Sequence, residues 1–166
     1  MDEPRWLNET EMRAWVGFLE TSGLIQRHVE QQLREARGLT MVQYEILHWA
    51  NDSGTQPLCM TELANRMITS RNGLTYQVSQ LEKAGLLQRQ TDPDDERRIQ
   101  VVITGEGRRL LEEAAPGHVR TVREGLFDRL SNEQVAQLAD IMETARDHLR
   151  GTVQLQAPRK RRGERA

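Results

Sequence analysis

The chain has 166 residues, of which 37% are hydrophobic and 29% are charged, and its formal net charge is −2. This composition is typical of one water-soluble domain, and a single cysteine, Cys59, cannot supply a disulfide framework. No apolar run approaches the ~18 residues of a membrane-spanning helix, and the first residues are acidic, unlike a secretion signal. We therefore expect no membrane insertion, no Sec-type export and a cytoplasmic location.

The first part of the chain has the spacing of two helices. Apolar residues at three- and four-residue intervals predict a long amphipathic helix over about 10–36, and Gly38 is expected to end it. Thr40 and Gln43 have the spacing of a capping box, so they predict the start of a second helix.

A helix-turn-helix is predicted next, because two short helices follow each other closely. One begins near Thr61, and the other begins at Thr69 or Ser70 and ends at Gly85. Two β-compatible runs, Leu86–Gln90 and Ile99–Ile103, then flank a charged stretch and predict a β-hairpin.

Two further helices complete the predicted fold. One extends from Gly105 to about Leu130 with a kink at Pro116, and the last begins at Ser131, whose capping partner is Gln134. The last helix carries a narrow apolar seam of Val135, Leu138, Met142 and Leu149. Because the terminal helices carry more apolar surface than a small core can cover, we expect them to pair with a second copy of the chain.

The predicted fold is therefore mainly α with a small β-hairpin wing. We expect a single domain over residues 1–150, with the winged helix-turn-helix at about 39–104 and dimerisation helices at about 10–36 and 105–150. Residues 150–166 carry six basic side chains and one acidic side chain, so 151–166 reads as a disordered basic tail. This tail is either simply solvated or a nonspecific contact to nucleic acid.

Several separated motifs in this order resemble one known family. The stretch LEKAGLLQRQTDPDDERRIQVVITGEGRRLLEEA at 81–114 contains Asp95-Glu96-Arg97, Ile103-Thr104 and Gly107 in the arrangement of the MarR family of bacterial winged helix-turn-helix regulators. MTELANRM at 60–67 and LTMVQYEIL at 39–47 are similar to the two preceding helices of that family. The resemblance implies a homodimeric repressor that binds a palindromic operator in double-stranded DNA and is released by a small-molecule effector.

The second helix of the helix-turn-helix is expected to contact DNA. Leu74, Val78 and Leu81 define its buried side, so its polar residues lie on or beside the opposite face. Amide, hydroxyl and guanidinium groups can read base edges or bind phosphate. The predicted DNA contacts in this helix are Ser70, Arg71, Asn72, Thr75, Tyr76, Ser79 and Gln80. The alternative is a solvated helix face.

The predicted wing offers Arg97 and Arg98 as further DNA contacts. An arginine suits a narrow minor groove, and the resemblance implies that Asp95 braces the Arg97 guanidinium through a charge-assisted bond. The alternative is a surface ion pair that only fixes the turn. Residues 60–104 carry six basic and six acidic side chains, so we expect modest nonspecific affinity.

No catalytic, cofactor or metal site is predicted, because the four histidines are scattered and no metal or phosphate-loop motif occurs. Cys59 is not in the first helix, where the resemblance implies a peroxide-sensing cysteine would lie. Aromatic and histidine residues on the first two helices are candidates for an effector pocket, and core or dimer packing is the alternative. They are Trp15, His28, Tyr44, His48 and Trp49. The competing hypothesis is a dimeric scaffold that binds a small molecule or a protein but not DNA.

Overall fold

The computed structural model describes residues 4–54, 56–67 and 71–156. The helices are α1 (Glu9–Arg37), α2 (Met41–Asp52), α3 (Met60–Met67), α4 (Arg71–Lys83), α5 (Gly105–Gly125) and α6 (Asn132–Gln156), and the strands are β1 (Leu58–Cys59), β2 (Leu87–Thr91) and β3 (Ile99–Ile103). The mainly helical fold with a small β wing is confirmed. The chain forms two compact units, which divide between Gly125 and Leu126, where the sequence predicts one domain through residue 150.

The caps that begin and end the first two helices follow from local sequence. Asn8 and Glu11 form a capping box at the start of α1. Gly38 ends this helix in the left-handed conformation at φ 67°, which glycine adopts without a steric penalty. Thr40 accepts the Gln43 backbone N–H, and the Gln43 side chain accepts the Thr40 backbone N–H, as predicted.

The later helices differ from the prediction in their ends. Helix α5 continues through Pro116 but ends at Gly125, and a short 3₁₀ turn at Phe127–Arg129 follows. The predicted continuation to about Leu130 is therefore wrong, because the chain leaves the α-helix after Gly125 to form this turn. The Ser131–Gln134 capping box is confirmed. Helix α6 extends to Gln156, into the segment predicted to be a tail, and residues 157–166 lie outside the described residues.

The wing is a three-stranded antiparallel sheet in the order β1-β3-β2. Strand β3 pairs with β2 along its whole length, with Ile99 opposite Thr91 at one end and Ile103 opposite Leu87 at the other. Strand β1 adds Leu58 opposite Val101 on the other edge of β3. Strand β1 is not predicted from the sequence, because two residues are too few to show an alternating pattern.

One apolar core joins the second half of α1 to the winged helix-turn-helix. Its fully buried side chains include Leu33, Ile46, Leu47, Leu63, Leu74, Leu81, Leu87, Val29, Val78 and Val101. The predicted apolar face of α1 is only partly buried, since Trp15, Val16 and Leu19 are 42–50% exposed. A single copy of the chain therefore covers the second half of this face and leaves the first half in solvent. Within the described residues, no helix is long and apolar enough to cross a membrane.

Candidate nucleic-acid interface

Helix α4 presents a polar face away from the core. Leu74, Val78 and Leu81 on its inner side are at most 1% exposed, as predicted. On the other side Thr75 is exposed and Tyr76 is 62% exposed. A large aromatic side chain in solvent, beside hydroxyl groups, is available for base-edge or backbone contacts.

For three of the predicted DNA contacts, the structure describes no side chain. Ser70 lies outside the described residues, and Arg71 and Asn72 are described only as helical backbone. Gln80 is half-buried. The structure therefore places Thr75 and Tyr76 on the open face, with Gln80 at its edge.

Ser79 faces the wing, because Arg89 of strand β2 binds it. The Arg89 guanidinium donates to the Ser79 hydroxyl and to the Thr75 carbonyl oxygen, both at 3.1 Å. The same guanidinium lies 3.7 Å from the carboxylate of Glu82, which also accepts the Arg89 backbone N–H. Arg89 thus holds α4 against β2.

This role of Arg89 is not predicted from the sequence, although its position on a strand indicates it. Leu87 and Arg89 are two residues apart on a strand, so their side chains lie on the same face of the sheet. Arg89 also pairs in register with the buried Val101. A basic residue on the inward face of a strand needs a partner in the fold.

Asp95 stabilises the turn of the wing by accepting two backbone N–H groups. Its carboxylate accepts the Arg97 backbone N–H at 3.0 Å, and its carbonyl oxygen accepts the Arg98 backbone N–H at 2.9 Å. Across the part of the chain that is described, no ion pair involves the Arg97 guanidinium. The predicted bond from Asp95 to that guanidinium is therefore replaced by a bond to the backbone, because the carboxylate lies two residues back in a tight turn.

Arg98 is engaged within the protein. Its guanidinium lies 2.9 Å from the Glu62 carboxylate in α3 and 3.8 Å from the Asp92 carboxylate. The two neighbouring arginines of the wing are consequently not equivalent. Arg97 is exposed and outside these ion pairs, whereas Arg98 connects the wing to the first helix of the helix-turn-helix.

The pKa values of these groups agree with their contacts. The Cys59 side chain, followed by the charges of Glu62 and Asp92, raises the pKa of the Arg98 guanidinium. The Cys59 backbone N–H donates to Glu62 at 2.9 Å and is the main cause that lowers the pKa of this carboxyl group. The Asp94 backbone N–H has the same effect on Asp92. Each charged form is thereby favoured at neutral pH.

All five predicted effector residues lie on α1 and α2, where they form three ring contacts and line one shallow depression. The Tyr44 ring is buried 4.6 Å from the His118 ring of α5, and His48 lies 5.3 Å from Trp49. His28 is exposed and lines a depression of about 460 Å³ on α1. The fifth predicted residue, Trp15, contacts Phe18 instead.

Two buried polar groups were not predicted from the sequence, and one of them, His118, contacts Tyr44. His118 Nδ1 and Gln32 Oε1 are buried without a hydrogen-bond partner in the described structure. Burial is the main cause that lowers the pKa of His118, and the charge of His48 adds to it. The indication was the helical spacing that brings His118 onto the inner side of α5, seven residues after Leu111.

A larger open groove of about 940 Å³ lies between α1 and α2. Its lining in the described residues is mainly charged or polar, and it contains none of the five predicted effector residues. The lining residues are Gly23, Gln26, Arg27, Glu30, Gln31, Arg34, Glu35, Met41, Val42, Glu45 and Met67. No three His, Cys, Asp or Glu side chains among the residues described could hold a metal ion.

Comparison with known proteins agrees with this geometry. The MarR family profile matches residues 39–99. The crystal structure of Sco3205, a MarR family transcriptional regulator from Streptomyces coelicolor in complex with DNA, is similar to this chain with a TM-score of 0.84 and 38% identity, over 90% of this chain and 93% of that one. The transcriptional repressor YetL of Bacillus subtilis is 30% identical over 119 residues, which are 70% of this chain and 71% of the relative.

A third relative was solved with a small molecule. CouR from Rhodococcus jostii RHA1, bound to p-coumaroyl-CoA, has a TM-score of 0.70 and 26% identity, over 78% of this chain and 90% of that one. These similarities extend well beyond the winged helix-turn-helix into the flanking helices. The chain belongs to the MarR family and is a DNA-binding transcriptional regulator.

Proposed function

We propose that the protein is a homodimeric repressor that binds an inverted-repeat operator in double-stranded DNA. The observation that carries this proposal is the pairing of the open α4 face with the exposed Arg97 of the wing. Tyr76 and Thr75, with Asn72 and Gln80, contact the major groove, and Arg97 enters the adjacent minor groove. Sco3205, a similar protein, was solved with DNA, which supports this assignment. A regulator of this kind acts in the bacterial cytoplasm and needs no enzymatic activity.

The dimer is proposed to form through the terminal helices. In α1 the side chains of Trp15, Val16 and Leu19 are exposed, and in α6 Met142 and Leu149 are exposed, with Val135 and Leu138 half-buried. Apolar surface of this extent marks an interaction site. A second copy, related by a two-fold axis, matches a two-fold operator.

The effector site is proposed to lie around Tyr44, His48 and Trp49. The Tyr44 ring, next to the unpartnered Nδ1 of His118, suits a small molecule that combines an aromatic ring with a hydrogen-bonding group. That CouR was solved with p-coumaroyl-CoA supports an effector of the aromatic class. Binding there is expected to lower the affinity of the dimer for its operator.

The test is a footprint of the protein on its own upstream DNA at several salt concentrations. We expect protection of a two-fold repeat with half-sites about 10 bp apart. Arg97→Ala should weaken binding to all sequences and lower the salt slope by about 0.9 for each lost phosphate contact. Arg120→Ala, at an exposed arginine of α5, is the matched control and should leave the slope unchanged.

The base-reading role of α4 is tested separately. Asn72→Ala or Gln80→Ala should change which bases are preferred, at about 1–3 kcal/mol for each lost base contact. Unchanged specificity in both variants would refute the assignment of α4. No protection above nonspecific binding, together with no effect of Arg97→Ala, would favour a dimeric scaffold that does not bind DNA.

A further inference from the structure

The loop between β2 and β3 is closed by its own hydrogen bonds. The Asp92 backbone N–H donates to the Arg98 carbonyl oxygen at 2.9 Å, and the Arg98 backbone N–H donates to the Asp95 carbonyl oxygen at 2.9 Å. The carboxylates of Asp92 and Asp95 accept the backbone N–H groups of Asp94 and Arg97. Because these bonds stay within residues 92–98, they fix the shape of the loop and not its position relative to the helices.

One side chain of this loop, whose residues are all described, reaches a helix. Arg98 reaches Glu62 in α3, a residue 36 positions earlier in the chain, and donates to its carboxylate at 2.9 Å. Glu62 in turn accepts the Cys59 backbone N–H in β1. The contact therefore joins α3, the edge strand β1 and the end of the loop at one point.

Asp92 completes this contact from inside the wing. Its side chain is 11% exposed, and its carboxylate lies 3.8 Å from the Arg98 Nε. A guanidinium has donors on several edges, so one Arg98 side chain binds Asp92 within the wing and Glu62 in α3 at the same time. A lysine, with one ammonium group, offers a poorer match to two carboxylates.

We propose that Arg98 is a positioning residue that fastens the wing to α3, so that the neighbouring Arg97 is held at the minor groove. Arg98 itself does not contact DNA. The placement of Arg97 at the minor groove rests on the proposed function. The contact that fastens the wing to α3 is a property of the free protein and can be measured without DNA.

The test uses Arg98→Gln, Glu62→Gln and the double variant, with Arg97→Gln as the matched control. Glutamine at 62 keeps an oxygen for the Cys59 N–H and removes only the charge. We expect Arg98→Gln and Glu62→Gln each to weaken operator binding about fivefold, the upper range for an exposed ion pair. The double variant should bind the operator no more weakly than the weaker-binding single variant, because both changes break the same contact.

The salt slope separates positioning from direct contact. Arg97→Gln should lower the slope by about 0.9, whereas Arg98→Gln should leave it unchanged. A similar loss of slope in Arg98→Gln, with effects that add to those of Glu62→Gln, would show that Arg98 binds phosphate and would overturn the proposal. Unchanged affinity in Arg98→Gln would overturn it as well.

Amide hydrogen exchange of the free protein provides the measurement that does not depend on DNA. In Arg98→Gln and in Glu62→Gln, the backbone amides of the β1 and α3 junction, such as Cys59, should exchange about fivefold faster. Unchanged exchange in both variants would refute the fastening. If the wild type gives no footprint while exchange responds as expected, the proposed function fails and the fastening stands.

Discussion

Replacing Gly107 with alanine should destabilise the junction between α4, the wing and α5. Gly107 lies in the first turn of α5, and a Cβ there would overlap the Leu86 carbonyl oxygen and lie 2.9 Å from the Ile103 side chain. The Leu86 carbonyl oxygen cannot move freely, because it accepts the Thr104 backbone N–H at 3.1 Å. The Thr104 hydroxyl also donates to the Gly85 carbonyl oxygen and accepts the Gly107 backbone N–H.

The magnitude follows from two opposing contributions. Overpacking a tight site costs typically 1–3 kcal/mol, and a collision with a hydrogen-bonded backbone group belongs at the upper end, ~3 kcal/mol. Alanine gains up to ~1 kcal/mol of helix propensity over glycine. We therefore expect a net loss of ~2 kcal/mol in the free energy of unfolding, or about 4–8 °C in Tm for a chain of this size.

The assay is urea unfolding at one fixed protein concentration, since association makes apparent stability depend on concentration. Gly105→Ala is the matched control, because it lies in the same helical turn and a Cβ there meets nothing within 4 Å. That variant should be as stable as the wild type or slightly more stable. Equal midpoints for Gly107→Ala and Gly105→Ala would refute the packing argument.

Three further predictions concern association and pH. Leu138→Asp should give monomers in sedimentation, and an unchanged dimer would place the interface elsewhere. Burial lowers the pKa of His118, so stability should fall as the pH drops below the unfolded-state value of about 6.5; His118→Phe, which keeps a ring against Tyr44, should reduce this fall in urea midpoints. The Asp94 N–H lowers the pKa of Asp92, so the stability it contributes is complete above about pH 4 and is lost as pH falls through its lowered pKa. Asp92→Asn should therefore flatten acid unfolding curves, and curves that keep their slope would contradict this.

The features that sequence predicted correctly depend on neighbours within a few residues. The capping boxes at Thr40 and Ser131 involve a side chain and a backbone group three residues apart. The left-handed glycines at the ends of α1 and α4, Gly38 and Gly85, have φ values of 67° and 75°. Such contacts are set by local chemistry, so a single sequence contains the information.

The features that were missed join distant parts of the chain. Arg98 binds Glu62 across 36 positions, and Arg89 binds Ser79 across 10 and Thr75 across 14. Sequence spacing gives no measure of these distances, because they depend on how the wing folds back over the helix-turn-helix. For the same reason, the ion pair of Arg98 with Glu62 is not predicted from the sequence, and the DNA contact expected of Arg98 stays a prediction.

The equal numbers of acidic and basic residues between positions 60 and 104 do not describe the surface that faces DNA. Glu62 and Asp92 are paired with Arg98, and Glu82 is paired with Arg89, so these charges largely cancel within the protein. Arg97 forms no ion pair in the described structure, so its charge is not cancelled by a neighbouring carboxylate there. Under the proposed function, we therefore expect the exposed Arg97 of the wing to contribute to the salt dependence of DNA binding and the contacts of Arg98 to orient it.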